Sequence, residues 1–342
     1  MNKKRVLLTG VTGFLGSHTA IQLLNKGYEV IGTLRSKDRL NSIEEIISKH
    51  TTNINNLSFV EADLKDGNVW SQLTKNIDYV QHIASPFPNE LPKHEKDLIL
   101  PAKEGTINII KAASTNNVKR VAMVSSIASV LYGKNKNDLN KAFNENDWTD
   151  ETNEKDTTPY IRSKTVAEKA AWKFMKETNS DLELTTVLPS TILGPVLEKD
   201  FGTSAEIVIK ILDGSTPALP RIGFHIVDVR SVAELLVDVM EIPQAADNRY
   251  IASSGYLTFK EIALILKQEY PDRKIPTLEL PNFAARLFSI FEPSLKPILI
   301  ELGVKRKTDT SKVQKELQWQ SPSSEESVIA CAKSVFENGI IK

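Results

Sequence analysis

Short apolar runs alternate with stretches of helical periodicity through the first 190 residues of the chain. Apolar runs of about four to eight residues are typical of buried strands, and apolar positions that recur every three or four residues indicate helices. The predicted strands are residues 5–9, 28–33, 57–61, 79–83, 120–125 and 184–188, and the predicted helices are residues 14–26, 37–49, 68–74, 93–114 and 159–177. This alternation predicts an α/β fold with a doubly wound parallel sheet.

The pattern becomes less regular after Gly194. Residues 249–252 are predicted to form a strand that returns to the sheet, and Ser323 is the predicted cap of the last helix. Further helices are predicted at residues 204–212, 231–241 and 259–269, followed by short helical pieces between prolines 271, 276, 281, 293 and 297.

This change in pattern predicts two parts of the chain. The first is a sheet domain over residues 1–190, to which residues 225–255 return. The second is a smaller mixed α/β lobe, formed mainly by residues 191–342. Because ligands bind at the carboxyl ends of the strands in open α/β sheets, we expect the lobe to lie over those ends and to bind substrate.

Composition and charge exclude several classes of function. The 342 residues include 43 basic and 43 acidic side chains, so no strong net field attracts nucleic acid or an anionic membrane. A single cysteine excludes an internal disulfide, and the five histidines show no metal-ligand spacing, so we expect no metal. No apolar run approaches 18 residues and the first one is too short for a signal peptide, so a cytoplasmic protein is expected.

A glycine-rich turn follows the first predicted strand. Its sequence, Gly10-Val-Thr-Gly13-Phe-Leu-Gly16, lies between a strand and a helix, which is the setting of a dinucleotide-binding turn. Glycines permit the close approach of a pyrophosphate, and the helix N-terminus supplies free N–H groups. We therefore expect a Rossmann-type domain in which Gly10, Gly13, Phe14, Leu15 and Gly16 contact the cofactor; the alternative is a glycine-rich turn without a ligand.

The end of the second predicted strand bears on the identity of that cofactor. In NAD-binding folds, an acidic residue about 20 positions after the glycines binds the ribose 2′-hydroxyl. Here Arg35 occupies that place, with Lys37 close behind it and no carboxylate. Because a guanidinium suits a phosphate group, the sequence favours NADPH/NADP+ and a 2′-phosphate held by Arg35 and Lys37. The alternative is that Arg35 is an exposed loop cation.

Tyr160 and Lys164 are four residues apart on a predicted helix. Residues at this spacing share a helix face, so a phenol and an ammonium group stand side by side. A nearby positive charge favours the phenolate, and we expect Lys164 to lower the pKa of Tyr160 toward neutral pH. On its own the spacing is weak, because most such pairs lie on solvated helix faces.

Several further motifs occur in register with the glycine turn and with this pair. They are TGVTGFLGSH (9–18), ADL (62–64), HIASPF (82–87), EGT-x-N (104–108), VSS (124–126), YIRSKTVAEKAAW (160–172), LPSTILGP (188–195), HIVDVRSVA (225–233) and RYIASS (249–254). As a set they resemble the extended branch of the short-chain dehydrogenase/reductase superfamily, in its dihydroflavonol reductase, cinnamoyl-CoA reductase and yeast methylglyoxal (ketone) reductase group. The resemblance covers about residues 4–255 and is weaker beyond them.

The resemblance implies a role for individual residues. Ser126, with Ser125 as the competing candidate, would donate a hydrogen bond to a substrate carbonyl, Tyr160 would be the general acid, and Lys164 would also bind the nicotinamide ribose. Phe87 and Tyr132 are candidates for an apolar substrate wall. The remaining expected cofactor contacts are Asp63, Leu64, Ala84, Ser85, Pro189, Thr191, Ile192 and Ser204. One departure is Ala102, which stands where many relatives carry an asparagine.

The leading hypothesis is an NADPH-dependent carbonyl reductase that acts on a small-molecule aldehyde or ketone, as a monomer or a homodimer. An NAD-dependent nucleotide-sugar epimerase or dehydratase is the alternative, and a dinucleotide-sensing regulator without turnover is a third. The polar segment 135–158 is either a mobile cover over the substrate or a surface excursion pinned by Trp148.

Overall fold

A seven-stranded parallel sheet forms the centre of the computed structural model, which describes residues 3–86, 94–214, 218–291 and 293–342. The strands are β1 (Arg5–Thr9), β2 (Glu29–Leu34), β3 (Leu57–Glu61), β4 (Tyr79–His82), β5 (Arg120–Val124), β6 (Ala142–Phe143), β7 (Glu183–Pro189), β8 (Thr191–Leu193), β9 (Leu219–Pro220), β10 (Gly223–Asp228), β11 (Arg249–Ala252), β12 (Gly255–Thr258), β13 (Glu279–Leu280) and β14 (Lys307–Thr308). The central sheet has the order β11-β7-β5-β4-β1-β2-β3. Strands β2 and β3 are therefore added on one side of β1, and β4, β5, β7 and β11 on the other. A ligand crevice is expected at the carboxyl ends of β1 and β4, where this change of side occurs.

Helices cover both faces of this sheet. They are α1 (Phe14–Asn25), α2 (Leu40–Ser48), α3 (Gly67–Leu73), α4 (Lys96–Thr115), α5 (Ala128–Leu131), α6 (Pro159–Glu177), α7 (Ala205–Leu212), α8 (Val229–Glu241), α9 (Phe259–Glu269), α10 (Asn282–Phe291), α11 (Ser311–Leu317) and α12 (Ser324–Glu337). Successive residues of β1 alternate between the faces, as strand geometry requires: Val6 and Leu8 pack with α1 and α8, and Leu7 packs with α3 and α4. The predicted doubly wound α/β sheet is confirmed.

A second, smaller sheet extends from the carboxyl side of the first. Its strands have the order β12-β10-β8, with β10 antiparallel to β12 and parallel to β8. A separate apolar cluster from α7, α9 and α12 packs against it, including Val208, Ile262 and Ala332. The division of the chain into a domain over residues 1–190 and a lobe over residues 191–342 stays a prediction.

The predicted elements of the first 190 residues are present, with small shifts at their ends. The predicted helix 37–49 divides into a 3₁₀ turn (Lys37–Arg39) and α2, and the helix predicted from residue 93 begins at Lys96 within the described residues. Strand β11 pairs with β7, as predicted, and Ser323 forms a capping box with Glu326. The three strands of the second sheet were missed. None of the helices in the described ranges is long and apolar enough to cross a membrane.

Arg120 is a buried cation at the start of β5, only 1% exposed. Its guanidinium donates to the carbonyl oxygens of Val239 and Ile242 at 2.6 and 2.7 Å, at the C-terminus of α8. It also pairs with Glu183 of β7 at 2.7 Å. Arg120 therefore satisfies the last carbonyl groups of α8 and holds that helix on the sheet.

Arg120→Met should lower the free energy of unfolding by about 3 kcal/mol, because it leaves buried carbonyl groups without a donor. The matched control is Arg5→Met, since Arg5 pairs with Glu29 across β1 and β2 at 3.1 Å with its side chain 35% exposed. That change should cost less than about 1 kcal/mol. Urea unfolding followed by circular dichroism measures both, and equal losses would contradict the role given to Arg120.

Candidate active site

The glycine turn connects β1 to α1 through backbone contacts that exclude side chains. Gly10 has φ +73°, and a Cβ atom there would lie 3.1 Å from Ala84. A Cβ atom at Gly16 would collide with the carbonyl oxygen of Gly10. No side chain caps the N-terminus of α1 at Gly13. The turn therefore leads into a helix N-terminus without a side-chain cap among the described residues, which suits an anionic group.

Thr9 fixes the end of β4 beside this turn. Its hydroxyl oxygen accepts hydrogen bonds from the backbone N–H groups of Ile83 and Ala84 at 3.1 and 3.0 Å. It is also 3.0 Å from Nδ1 of His82. The carboxyl ends of β1 and β4 are thus held together at the predicted crevice.

A cavity of about 730 Å³ opens from the glycine turn across the ends of β2 and β3. Its lining includes the predicted cofactor contacts Gly10, Gly13, Phe14, Leu15, Gly16, Arg35, Asp63, Leu64, Ala84 and Ser85. Lys37 is not among the described residues that line it, whereas Arg39 is. Arg39 bonds Glu198 and Asp200 at 2.6 and 2.7 Å and so joins this edge to the loop before α7. Arg39 is also close behind Arg35 in the sequence, two residues after Lys37.

A second cavity, of about 880 Å³, continues from the first at the carboxyl ends of β5 and β7. Leu15, Ile83 and Ser85 line both cavities, so the two share a wall. The predicted residues that line the second cavity are Ser126, Tyr132, Tyr160, Lys164, Pro189, Thr191, Ile192 and Ser204. Phe87 lies outside the described residues. Sequence reasoning missed Phe224, His225, Tyr256, Glu301 and Arg306, which also line this cavity.

Ser126 and Tyr160 meet at the wall of the second cavity. The Tyr160 phenol forms a hydrogen bond with the Ser126 side chain. The Ser126 oxygen also accepts from the backbone N–H of Ala128 at 3.1 Å, which fixes its orientation. Tyr160 stands in the first turn of α6, where Thr158 caps the backbone N–H of Ile161 at 3.4 Å. Strand end and helix start thus present two hydroxyl groups to one space.

The pKa values of this group follow from burial. Burial raises the pKa of Tyr160, and the hydrogen bond from Ser126 offsets only part of that rise. The net shift of the Tyr160 pKa is therefore upward, opposite to the fall toward neutral pH that was expected from Lys164. The Lys164 nitrogen lies 6.0 Å from the centre of the Tyr160 ring. Burial lowers the pKa of Lys164 to about 8, against an opposing effect of Glu168.

Glu168 is a fully buried carboxylate one turn beyond Lys164 on α6. It accepts hydrogen bonds from Ser125 (2.6 Å), Ser129 (2.5 Å) and Thr186 (2.9 Å), and it pairs with Arg249 at 2.8 Å. Burial acts to raise the pKa of Glu168, but Arg249 and the hydroxyl groups lower it by more. An ionised Glu168 therefore connects α6 to α5, β7 and β11 directly behind Ser126.

The segment 135–158 packs against this network. The Arg249 guanidinium lies 3.6 Å from the centre of the Trp148 ring, and the Thr149 N–H donates to the backbone carbonyl oxygen of Ser129 at 2.8 Å. Strand β6 of the segment pairs with β14. Among its described residues only Thr158 lines the second cavity. These contacts favour the pinned surface excursion over a mobile cover.

Comparison with known proteins gives a consistent result. The pattern that defines the NAD dependent epimerase/dehydratase family matches residues 6–249. A putative uncharacterized oxidoreductase of Schizosaccharomyces pombe is 34% identical over 80% of this chain and 84% of its own length. Tetraketide alpha-pyrone reductase 1 of Arabidopsis thaliana is 33% identical over 80% of this chain and 83% of its length. The resemblance inferred from the motifs is confirmed.

Among solved structures, yeast methylglyoxal/isovaleraldehyde reductase Gre2 complexed with NADPH is similar over nearly the whole chain. It is 26% identical, with a TM-score of 0.80, and the match covers 98% of this chain and 100% of that protein. Similarity of this extent includes the part beyond residue 255, where the motifs give little signal.

Glu168→Gln should lower the free energy of unfolding by about 3 kcal/mol, because it leaves the Arg249 guanidinium buried without a counter-charge. Glu151→Gln is the matched control. Glu151 pairs at 2.5 Å with Lys169, which lies on α6 like Glu168, but both side chains of this pair are partly exposed. The control should lose less than about 1 kcal/mol. Urea unfolding of both variants measures the difference, and a Glu168 variant as stable as the control would refute a structural role for the ion pair.

Proposed function

The chain belongs to the NAD dependent epimerase/dehydratase family and is an oxidoreductase, and we propose that it is a carbonyl reductase that uses NADPH to convert an aldehyde or ketone into an alcohol. The observation that carries this proposal is the hydrogen-bonded pair of Ser126 and Tyr160 at the wall of the second cavity, with Lys164 beside it. Two hydroxyl donors that face one space suit a single carbonyl oxygen. The similarity to Gre2, a methylglyoxal/isovaleraldehyde reductase whose structure contains NADPH, supports the same reaction class.

The first cavity fits a dinucleotide that carries a 2′-phosphate. The glycine turn would hold the pyrophosphate at the N-terminus of α1, where the cap residue Gly13 has no side chain to bond the free N–H groups. Arg35 would bind the 2′-phosphate at the end of β2, where it occupies the position at which NAD-binding folds carry an acidic residue for the free 2′-hydroxyl. Arg39 lines the same edge of the cavity but is already paired with Glu198 and Asp200, so the 2′-phosphate is assigned to Arg35. This arrangement disfavours the alternative of an NAD-dependent nucleotide-sugar epimerase or dehydratase.

The residues of the second cavity have distinct roles in the proposed reaction. When bound, NADPH supplies the hydride that joins the carbonyl carbon. As the carbonyl double bond is reduced, Tyr160 gives its phenolic proton to the oxygen, and Ser126 donates a hydrogen bond to the same atom. The raised pKa of Tyr160 keeps the phenol protonated before the reaction. A charged Lys164 stabilises the phenolate that remains afterwards.

Tyr160→Phe should reduce kcat by about 10²–10⁴-fold, because the variant lacks the proton donor. Its affinity for NADPH, measured by fluorescence titration, should remain within about threefold of the wild type. The assay follows NADPH absorbance with a panel of aldehydes and ketones. Tyr270→Phe is the control, since that ring packs on Phe336 away from both cavities. No NADPH consumption by the wild type with any carbonyl, together with NAD bound to the purified protein, would overturn the proposed function.

The value of kcat/KM should fall above about pH 8, because Lys164 has a pKa of about 8 and must be charged. Lysine is a base, so the positive charge of Lys164 is present below this pH and is lost above it. Lys164→Arg stays charged throughout, so whatever activity that variant retains should show no such decline. Rates that are constant from pH 7 to pH 10 in the wild type would contradict the role of a charged Lys164.

A further inference from the structure

The wall of the second cavity contributed by the C-terminal part of the chain carries an ionic cluster. Arg306 bonds the carboxylates of Glu301 and Asp156 at 2.6 and 2.5 Å. Its guanidinium carbon lies 4.5 Å from the centre of the Tyr132 ring, and its carbonyl oxygen is 2.7 Å from Nε2 of His225. Of these five residues, all but Asp156 line the cavity.

The cluster leaves no charge on Arg306 for a substrate anion. Arg306 is 3% exposed and Glu301 is 6% exposed, so both groups are largely removed from water. Burial also raises the pKa of Glu301. Because Arg306 already pairs with Asp156 and Glu301, a substrate carboxylate would enter this poorly solvated space without a counter-charge from Arg306. This wall therefore disfavours anionic substrates.

One polar atom of the cluster has no partner. The Nε–H group of Arg306 is buried and makes no hydrogen bond to any described residue. Buried donors are normally satisfied, so an unpaired one beside a cavity indicates a place for an acceptor atom. A hydroxyl, ether or carbonyl oxygen of a ligand would satisfy it without adding charge.

The cavity also has a group of apolar residues in its lining. Leu98, Leu131 and Phe224 contribute to it, together with Pro297, Ile298 and Ile300. Such a surface suits a hydrocarbon body between the reacting carbonyl and the ionic cluster. Reaction and selection would then take place on different walls of one cavity.

We propose that the substrate is an uncharged carbonyl compound with an apolar body and a second oxygen that accepts a hydrogen bond from Arg306, and that Asp156 helps to exclude carboxylates by neutralising Arg306. This inference rests on the proposed reductase function. It adds to that function a substrate class and two residues that determine specificity, Arg306 and Asp156.

Matched methyl ketones test the substrate class with the unmodified protein. Each series has seven to ten carbons and ends in a methyl group, a hydroxymethyl group or a carboxylate, as in 2-heptanone, 7-hydroxy-2-heptanone and 6-oxoheptanoate. At the best chain length, kcat/KM should be about tenfold higher for the hydroxyl compound than for the plain ketone, and about tenfold lower for the carboxylate. A plain ketone or a carboxylate that is reduced as well as the hydroxyl compound would overturn the inference and leave the reductase function intact. No reduction of any carbonyl would overturn both.

Asp156→Asn tests the exclusion of anions. The variant leaves Arg306 with a single carboxylate, so the ratio of kcat/KM for the carboxylate ketone to that for the hydroxyl ketone should rise about tenfold. Asp150→Asn is the matched control, because Asp150 is exposed in the same segment and bonds only Thr152 through its side chain. Its ratio should equal that of the wild type. An unchanged ratio in a folded Asp156 variant would refute the role of Asp156, and the matched ketones decide the substrate class even where that variant fails to fold.

Discussion

The buried carboxylate of Glu168 is the interaction on which the geometry of the candidate site depends. It receives hydrogen bonds from Ser125 at the end of β5, Ser129 in α5 and Thr186 in β7, and it pairs with Arg249 of β11. Ser126 is the next residue after Ser125, and Tyr160 and Lys164 precede Glu168 on the same helix. One charge in the interior therefore sets the position of the helix that carries two of the proposed catalytic groups relative to the strand end that carries the third.

Burial acts on these groups in opposite directions. It raises the pKa of the Tyr160 phenol and lowers that of the Lys164 ammonium, because in each case the charged form loses solvation. The phenol thus remains a proton donor while the ammonium remains charged only below about pH 8. Glu168 opposes the loss of the Lys164 charge from one turn away. The reduction reaction proposed here needs this pair of protonation states, a neutral phenol beside a cation.

The sequence predicts the parts of the site that depend on local pattern. The glycine turn, the Tyr160–Lys164 helix and the alternation of strands and helices are each defined within a few neighbouring residues, and the structure contains them. Strands β8 and β12 have only three and four residues, too few to show a periodicity, and β10 (Gly223–Asp228) mixes polar and apolar residues, so the sequence pattern does not reveal this sheet. Arg249 and Arg306 lie 81 and 150 residues from their partners Glu168 and Asp156, which no spacing rule connects. The roles of the site residues, the domain boundary and a cytoplasmic location stay predictions.

This difference in predictability follows from how the site is assembled. Ser126, Tyr160 and Lys164, the residues proposed for catalysis, lie just after β5 and on α6, where backbone geometry leaves few alternatives. The ionic cluster of Arg306, Glu301 and Asp156 is instead made of side-chain contacts between the C-terminal region and the segment 135–158, next to the pairing of β14 with β6. Side-chain clusters of this kind can change without disturbing the glycine turn or the Ser126–Tyr160 pair. The same reaction can therefore be kept while the charge and polarity of this cluster select a different carbonyl compound.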